Sequence, residues 1–162
     1  LGPDRYGPTL YCWRLDLRTG RVREERLDER HLEFCMVNQQ YWGRPSRYSY
    51  NMVAHPNAFL FDGITRFDHV TREAQTYRFG EGRFGSESPM EPRVGAQAED
   101  DGYVVSFVTD MAADRSECVV LDARDIAAGP LARIVLPHRI SSGTHSCWAG
   151  ADEIRSDWQG WD

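Results

Sequence analysis

The sequence predicts an all-β fold assembled from a repeating unit, and three observations lead to this prediction. The apolar runs are short, rich in β-branched and aromatic residues, and bounded by turn residues, which is typical of strands. Aromatic residues make up 12% of the 162 residues, which also favours a strand-rich chain. Finally, a strand–turn–strand pattern recurs along the chain at an almost constant spacing.

The short apolar runs predict strands along the whole chain. These strands cover residues 10–16, 47–53, 58–61, 64–67, 74–79, 102–109, 117–121, 132–136 and 144–148. One short helix of one or two turns is predicted at 122–130, where an aspartate precedes an alanine-rich stretch that ends in Gly129-Pro130. We therefore expect a chain of strands with a single helical insertion.

The repeat is visible as identical residues at matching positions. Residues 12–27 align without a gap on residues 64–79, and a looser third copy covers residues 118–136. Each copy has an aspartate at the head of its turn, and these markers are Asp16, Asp68 and Asp122, which are 52 and 54 residues apart. A period near 50 residues, built from four short antiparallel strands, is typical of a β-propeller blade.

A propeller blade cannot bury its own faces, so it needs neighbours on both sides in a ring that closes. About three blades fit into 162 residues at this period, whereas propellers typically contain roughly 4 to 8. We therefore expect the chain, which begins with Leu1 and not with methionine, to be part of a longer protein. Residues 1–150 are expected to form a partial propeller and residues 151–162 a C-terminal tail. The alternative is a small three-repeat β-domain or sandwich.

Composition and charge argue against several classes of protein. The net charge of −6 gives no support for a nucleic-acid partner, and no apolar run approaches the ~18 residues of a transmembrane helix. The cysteines Cys12, Cys35, Cys118 and Cys147 include no CxxC pair, which leaves zinc ribbons and thioredoxin-like motifs unsupported. Because two of them lie in apolar strand-like runs, we expect buried free thiols, a reducing compartment and a cytoplasmic location.

Two glutamates and a histidine fall at the same phase of successive repeats, where the chain returns from an outer strand to the axis. Glu33 and Glu87 are 54 residues apart, and His145 follows Glu87 after 58 residues. We expect these side chains to converge on the central channel. Imidazole suits iron and zinc, and a carboxylate often holds the second ring nitrogen of a ligating histidine. The alternative is a pair of solvated or arginine-paired glutamates and a structural histidine.

Several long segments follow one another in a characteristic order: FGEGRFGSESP at 79–89, AEDDGYVVSFVTD at 98–110, DRSECVVLD at 114–122, LPHRI at 136–140 and GTH at 143–145. This series resembles the C-terminal part of the carotenoid cleavage oxygenase family, over nearly the whole chain. Residues 139–145 are similar to the lignostilbene dioxygenase branch in particular. Carotenoid-cleaving relatives more often have Phe-His-Gly where this chain has Thr144-His145-Ser146.

The resemblance implies a seven-bladed propeller with a non-haem Fe(II) on its axis, held by four histidines from different blades. By position, His145 is implied as the last iron ligand, Glu87 as the glutamate that holds it, and Glu33 as the glutamate that holds a third histidine upstream of this chain. The implied reaction inserts O2 across an alkene and gives two carbonyl products. In the lignostilbene branch, a 4-hydroxystilbene gives aromatic aldehydes, and the groups that grip its phenol lie upstream.

The chain departs from the family in having a single counterpart of the four iron-binding histidines. His31, His55, His69 and His138 do not match the family's ligand positions. We therefore expect the isolated chain to be inactive, because the N-terminal blades of the same protein are missing. The complete protein is expected to act on an aromatic alkene and O2. Two hypotheses compete with the lignostilbene dioxygenase: an apocarotenoid-cleaving oxygenase, and a non-catalytic propeller that serves as a binding scaffold.

Overall fold

The computed structural model describes residues 7–141 and 143–150 and consists mainly of antiparallel strands. The strands are β1 Thr9–Leu15, β2 Val22–Met36, β3 Tyr48–Ala54, β4 Phe61–Asp68, β5 Ala74–Arg78, β6 Arg83–Gly85, β7 Met90–Pro92, β8 Gly102–Asp110, β9 Arg115–Asp122 and β10 Pro130–Val135. Short 3-10 helices cover Gln39–Tyr41 and Ile126–Ala128. Within the described ranges, no helix has the length and apolar character needed to cross a membrane.

Strand pairing divides the described part of the chain into blades. The second half of β2 pairs with β3, β3 with β4, and β4 with β5. The next blade has the same plan, since β6 and β7 share the inner position beside β8, and β9 and β10 follow outward. The first half of β2 pairs with β1 as an outer hairpin. The predicted all-β partial propeller is confirmed, as two four-stranded blades and the outer hairpin of a third.

The first complete blade is buried on both faces. Tyr50 and Met52 of β3 contribute to a core shared with the following blade, whereas Val53 faces a second core with the β1–β2 hairpin. In β4, Ile64 and Phe67 divide between the two cores in the same way. Because successive side chains of a strand point to opposite faces, a strand covered on both sides is apolar at consecutive positions.

The marker aspartates shape the turns between the outer strands. Asp16 Oδ1 accepts hydrogen bonds from the backbone N–H groups two and three residues later, at 2.9 and 3.1 Å, and Asp68 Oδ1 does the same at 2.8 and 3.1 Å. Asp122 accepts one such bond at 2.9 Å. The fourth residue after the aspartate has a positive φ in both closer copies, 69° at Gly20 and 66° at Arg72. The predicted aspartate-headed turns are confirmed, and aspartate's bonding to its own turn backbone explains them.

The short helix predicted at 122–130 is present as one turn of 3-10 helix at Ile126–Ala128, and it ends before Pro130, which pairs with β9. Two predicted strands are wrong. The strand predicted at 58–61 is mostly the β3–β4 turn, which the bond from His55 N–H to the Leu60 carbonyl closes at 2.8 Å. The strand predicted at 144–148 has no regular secondary structure, since a strand needs ladder partners for its backbone groups.

The four cysteines are free thiols, as predicted, but the prediction that they are buried is wrong. Cys35 and Cys147 are exposed, and Cys12 and Cys118 are half-buried. Cys118 lies on β9 beside Phe107 and Ile134, which are 42% and 54% exposed. This blade face is therefore only partly covered by the described residues.

Replacing Asp68 with asparagine tests the charge of this buried side chain at the head of its turn. Asp68 is 4% exposed, and its carboxylate lies 2.7 Å from the Arg47 guanidinium. Hydrogen bonds from Arg47, followed by those from the turn backbone, hold the pKa of Asp68 well below its usual range. Asparagine keeps an oxygen for the turn but loses the ion pair, so we expect a loss of about 1 to 2 kcal/mol in urea unfolding at pH 7.

The same variant has a defined pH dependence. Because the pKa of Asp68 is lowered in the folded protein, its contribution is complete above the unfolded-state pKa of about 4 and is lost as the pH falls further. The difference between wild type and Asp68→Asn should therefore shrink below that pH. Asp16→Asn, at the matching exposed turn, is the control and should cost less. Equal losses for the two variants would contradict the role of the buried ion pair.

Candidate functional site

Glu87 lies in a break of the inner strand of the second complete blade. Residues 86–89 separate β6 from β7. Two backbone hydrogen bonds of 3.1 Å hold this break against β8, one from Ser86 N–H to the Phe107 carbonyl and one from Val105 N–H to the Pro89 carbonyl. Pro89 has no N–H group for a ladder, which explains an interruption here. Ser88 Oγ donates to the Ser86 carbonyl at 2.9 Å, and Ser86, Glu87 and Ser88 are all buried. The break thus places a carboxylate inside the protein, off the regular ladder.

The Glu87 side chain contacts the C-terminal segment. Its Oε2 atom accepts a hydrogen bond from Ser146 N–H at 2.7 Å and lies 3.4 Å from His145 Nδ1. In addition, Ser146 Oγ donates to the Glu87 carbonyl oxygen at 2.6 Å. The carboxylate is almost buried, whereas 75% of the His145 side chain is exposed. With Nδ1 towards Glu87, the Nε2 atom of His145 is directed away from the carboxylate.

Phe34 contacts the ring of His145 from β2. A register shift between Glu33 and Met36 interrupts the pairing of β2 with β3, and Phe34 has a φ of 50° there. The centroid of its ring lies 5.1 Å from that of the His145 ring and 5.0 Å from that of the Phe61 ring, edge-on in both cases. Bulges commonly redirect a side chain, and a positive φ is strained in a bulky residue. The irregular backbone therefore directs an aromatic ring at His145.

Glu33 lies beside a cavity that Glu87 and His145 do not line. The cavity has a volume of about 250 Å³, and its walls include His31, His55, Phe59 and Phe61. A smaller cavity of about 50 Å³ shares the wall at residues 59–61 and reaches Gly143 and Thr144 in the C-terminal segment. The aromatic wall therefore lies between the cavity of Glu33 and the segment that carries His145.

The predicted site residues are brought together to different degrees. Glu87 and His145 are in contact. Among the described residues, no hydrogen bond or ion pair joins Glu33 to either of them, and the connection runs through Phe34, whose N–H faces Glu33 Oε2 at 3.3 Å. The three positions thus lie in one region of the fold, with direct contact between two of them.

The other histidines have different surroundings. His69 Nε2 lies 2.9 Å from Ser49 Oγ, and burial is the main reason that its pKa is lowered. His55 Nδ1 accepts a backbone hydrogen bond inside the β3–β4 turn. His31 lies on β2 beside the larger cavity, and His138 is exposed after β10. None of these four histidines contacts Glu87 through a hydrogen bond or ion pair of the described residues.

The arrangement around Glu87 can support one metal ligand. The described residues contain no group of three or more histidine, cysteine, aspartate or glutamate side chains that could hold a metal. They do contain one exposed imidazole with a buried carboxylate behind its Nδ1 atom. A carboxylate in that position fixes the tautomer and orientation of a ligating histidine and raises its basicity. The described residues could therefore supply a single imidazole ligand, oriented by a carboxylate.

Known proteins match this chain over most of its length. The sequence profile of the family described as retinal pigment epithelial membrane protein matches residues 3–150. The carotenoid 9,10(9',10')-cleavage dioxygenase 1 of Arabidopsis thaliana is 32% identical, over 94% of this chain and 30% of that protein. Lignostilbene-alpha,beta-dioxygenase isozyme III of Sphingomonas paucimobilis is 31% identical, over 91% of this chain and 33% of that protein. The apocarotenoid oxygenase of Synechocystis superposes with a TM-score of 0.83 at 32% identity, over 92% of this chain and 32% of that structure.

The chain therefore belongs to the carotenoid cleavage oxygenase family, as the order of its sequence segments predicts. It spans about a third of the length of the relatives that it matches. The two sequence relatives named above are dioxygenases by name, and the structural relative is an oxygenase.

Two neighbours of His145 are absent from the sequence predictions. Phe34 follows Glu33 directly, but the bulge that turns its ring towards His145 leaves no pattern in the residue order. Ser146 has a weak signal, because it stands where a glycine is more common in the resembling sequences. Its two bonds to Glu87 became apparent only from the geometry.

Substitution of Phe34 tests whether its backbone is strained. Phe34→Ala and Phe34→Gly both remove the ring contacts, but only glycine accepts the positive φ without cost. The left-handed conformation costs other residues about 1 kcal/mol, so the glycine variant should be the more stable of the two by about that amount in urea unfolding. Inside a regular strand, the alanine variant would be the more stable of the two. An alanine variant as stable as the glycine variant would contradict strain at Phe34.

Proposed function

We propose that this chain forms the C-terminal blades of a non-haem Fe(II) dioxygenase that cleaves an alkene C=C bond with O2 into two carbonyl products. The observation that carries the proposal is the contact between the exposed His145 imidazole and the buried Glu87 carboxylate. Membership of the carotenoid cleavage oxygenase family supports the reaction class. The free thiols support a reducing compartment, and the proposal includes a cytoplasmic location.

In this proposal, His145 holds the iron through Nε2 while Glu87 keeps Nδ1 turned inward. The carboxylate favours the tautomer with a proton on Nδ1, which leaves the lone pair of Nε2 for the metal. Bound Fe(II) would supply an open coordination position for O2. Glu33 would hold another histidine outside this chain, and the Phe34 ring would keep His145 from rotating.

The proposed substrate is a 4-hydroxystilbene that gives aromatic aldehydes. Support comes from the 31% identity to the lignostilbene dioxygenase isozyme and from residues 139–145, which resemble that branch. An apocarotenoid is the second candidate, favoured by the structural match to the apocarotenoid oxygenase and by the identity to a carotenoid-cleaving enzyme. Cleavage assays of the full-length protein on a hydroxystilbene and on an apocarotenal distinguish the two candidates.

The His145 and Glu87 roles predict graded losses in the full-length protein. His145→Ala should abolish stoichiometric iron binding and cleavage, because it removes a ligand. Glu87→Gln should weaken iron affinity by roughly 10- to 100-fold, as is usual for the partner of a ligating histidine. Iron content after dialysis and aldehyde formation are the measurements.

His138→Ala is the matched control, because His138 is an exposed histidine between β10 and the segment that carries His145. It should leave iron content and cleavage unchanged. If His145→Ala retains iron and cleavage, the metal role is wrong. If the full-length protein binds no iron and cleaves neither substrate, the non-catalytic scaffold gains support.

The isolated 162-residue chain is expected to be inactive and to bind Fe(II) weakly. A single imidazole cannot replace a set of several ligands, and the described residues offer no further cluster of metal ligands. Titration of the chain with Fe(II) under argon, followed by calorimetry, measures this. Tight binding of one iron per chain would contradict the proposal that the remaining ligands lie on other blades.

A further inference from the structure

Ser146 ties the C-terminal segment that carries His145 to the second blade. Residues 143–150 have no strand pairing, and His145 itself is largely exposed. Ser146 makes two short hydrogen bonds in this region, and both are to Glu87. Elsewhere the described segment has a contact from Gln39 Nε2 to the Trp148 carbonyl, at the longer distance of 3.3 Å.

We infer that Ser146 is a positioning residue, whose hydroxyl and N–H group clamp the segment onto Glu87 and thereby set the position of the His145 imidazole. The inference rests on the proposed function, because it concerns the same metal site. The two bonds of Ser146 act on different parts of Glu87, its side chain and its main chain.

The bond to the carboxylate restricts the side chain. Oε2 accepts from Ser146 N–H at 2.7 Å and is the same oxygen that faces His145 Nδ1 at 3.4 Å. Because Oε2 contacts both Ser146 and His145, the hydrogen bond from Ser146 N–H fixes the position of the oxygen that faces the imidazole. A charge-assisted bond of this length is stronger than a neutral one.

The bond to the carbonyl restricts the backbone. Ser146 Oγ donates to the Glu87 carbonyl at 2.6 Å, within the buried break between β6 and β7. This bond sets the distance between the two chain segments independently of the carboxylate rotamer. Alanine or glycine at position 146 would keep the amide bond and lose this one, so the hydroxyl is the part of the clamp that a substitution can isolate.

The test uses the iron-loaded full-length protein and measures the rate of iron loss to an excess of chelator. Ser146→Ala should accelerate the loss by about five-fold, which corresponds to one hydrogen bond. Ser146→Thr restores the hydroxyl and should return the rate to within about two-fold of wild type. Ser141→Ala, which changes an exposed serine shortly before this segment, should have no effect. Thermal unfolding of each variant separates local from global changes.

The outcomes distinguish the inference from the proposed function. If Ser146→Ala loses iron at the wild-type rate while His145→Ala binds none, the positioning role is wrong and the metal role stands. If His145→Ala keeps its iron, the proposed function itself is wrong. If Ser146→Ala unfolds at a lower temperature and Ser146→Thr recovers the unfolding temperature without slowing iron loss, the hydroxyl is merely structural and the inference is overturned.

Discussion

The burial of each blade on both faces is the constraint on which the structure depends. A single four-stranded sheet has two apolar faces, and stacking against neighbours removes both from water. This explains why β3 and β4 send alternate side chains into two separate cores. It also explains why β2 runs through fifteen residues, first as the outer strand beside β1 and then as the inner strand beside β3. One continuous strand thus joins two blades: it pairs with β1 up to His31 and with β3 from Leu32 onward, and its register shift after Glu33 lies within the pairing with β3.

The break in the inner strand of the second complete blade buries the Glu87 carboxylate, and the contacts of Glu87 with the C-terminal segment offset the cost of that burial. A buried carboxylate is unfavourable unless it is paired or hydrogen-bonded. Glu87 meets this requirement through Ser146 N–H and through its proximity to His145. The C-terminal segment therefore does more than follow β10, since it satisfies a group that the blade leaves unsatisfied. Folding of the blade and docking of the segment are therefore coupled at Glu87, through its Oε2 atom and its carbonyl oxygen.

Repetition is what made much of this structure predictable. The aspartate-headed turns recur with the same hydrogen bonds at Asp16 and Asp68, because aspartate readily bonds the backbone N–H groups of its own turn and stands at the same position in both repeats. The phase of Glu87 and His145 in the repeat also predicted that they would lie together. Features that depend on tertiary partners were not predictable: the continuity of β2, the two short inner strands β6 and β7, and the unpaired segment at 143–150. The order of residues within a segment does not show which strand will lie beside it. The bulge that redirects Phe34 was not predictable for the same reason, because it depends on the pairing of β2 with β3.

The distribution of ligand positions links metal binding to assembly of the ring. Under the proposed function, four histidines from different blades share the metal, and this chain would present one of them, His145, with the Glu87 carboxylate already in contact. In that case, an imidazole that is 75% exposed but contacts Glu87 and Phe34 would be oriented before any other ligand bound. A metal shared by several blades then stabilises their association, because its binding free energy contributes only when the blades are together. The preorganised contact between Glu87 and His145 is therefore the part of such a site that one blade and its following segment can build alone, and affinity for the metal belongs to the closed ring.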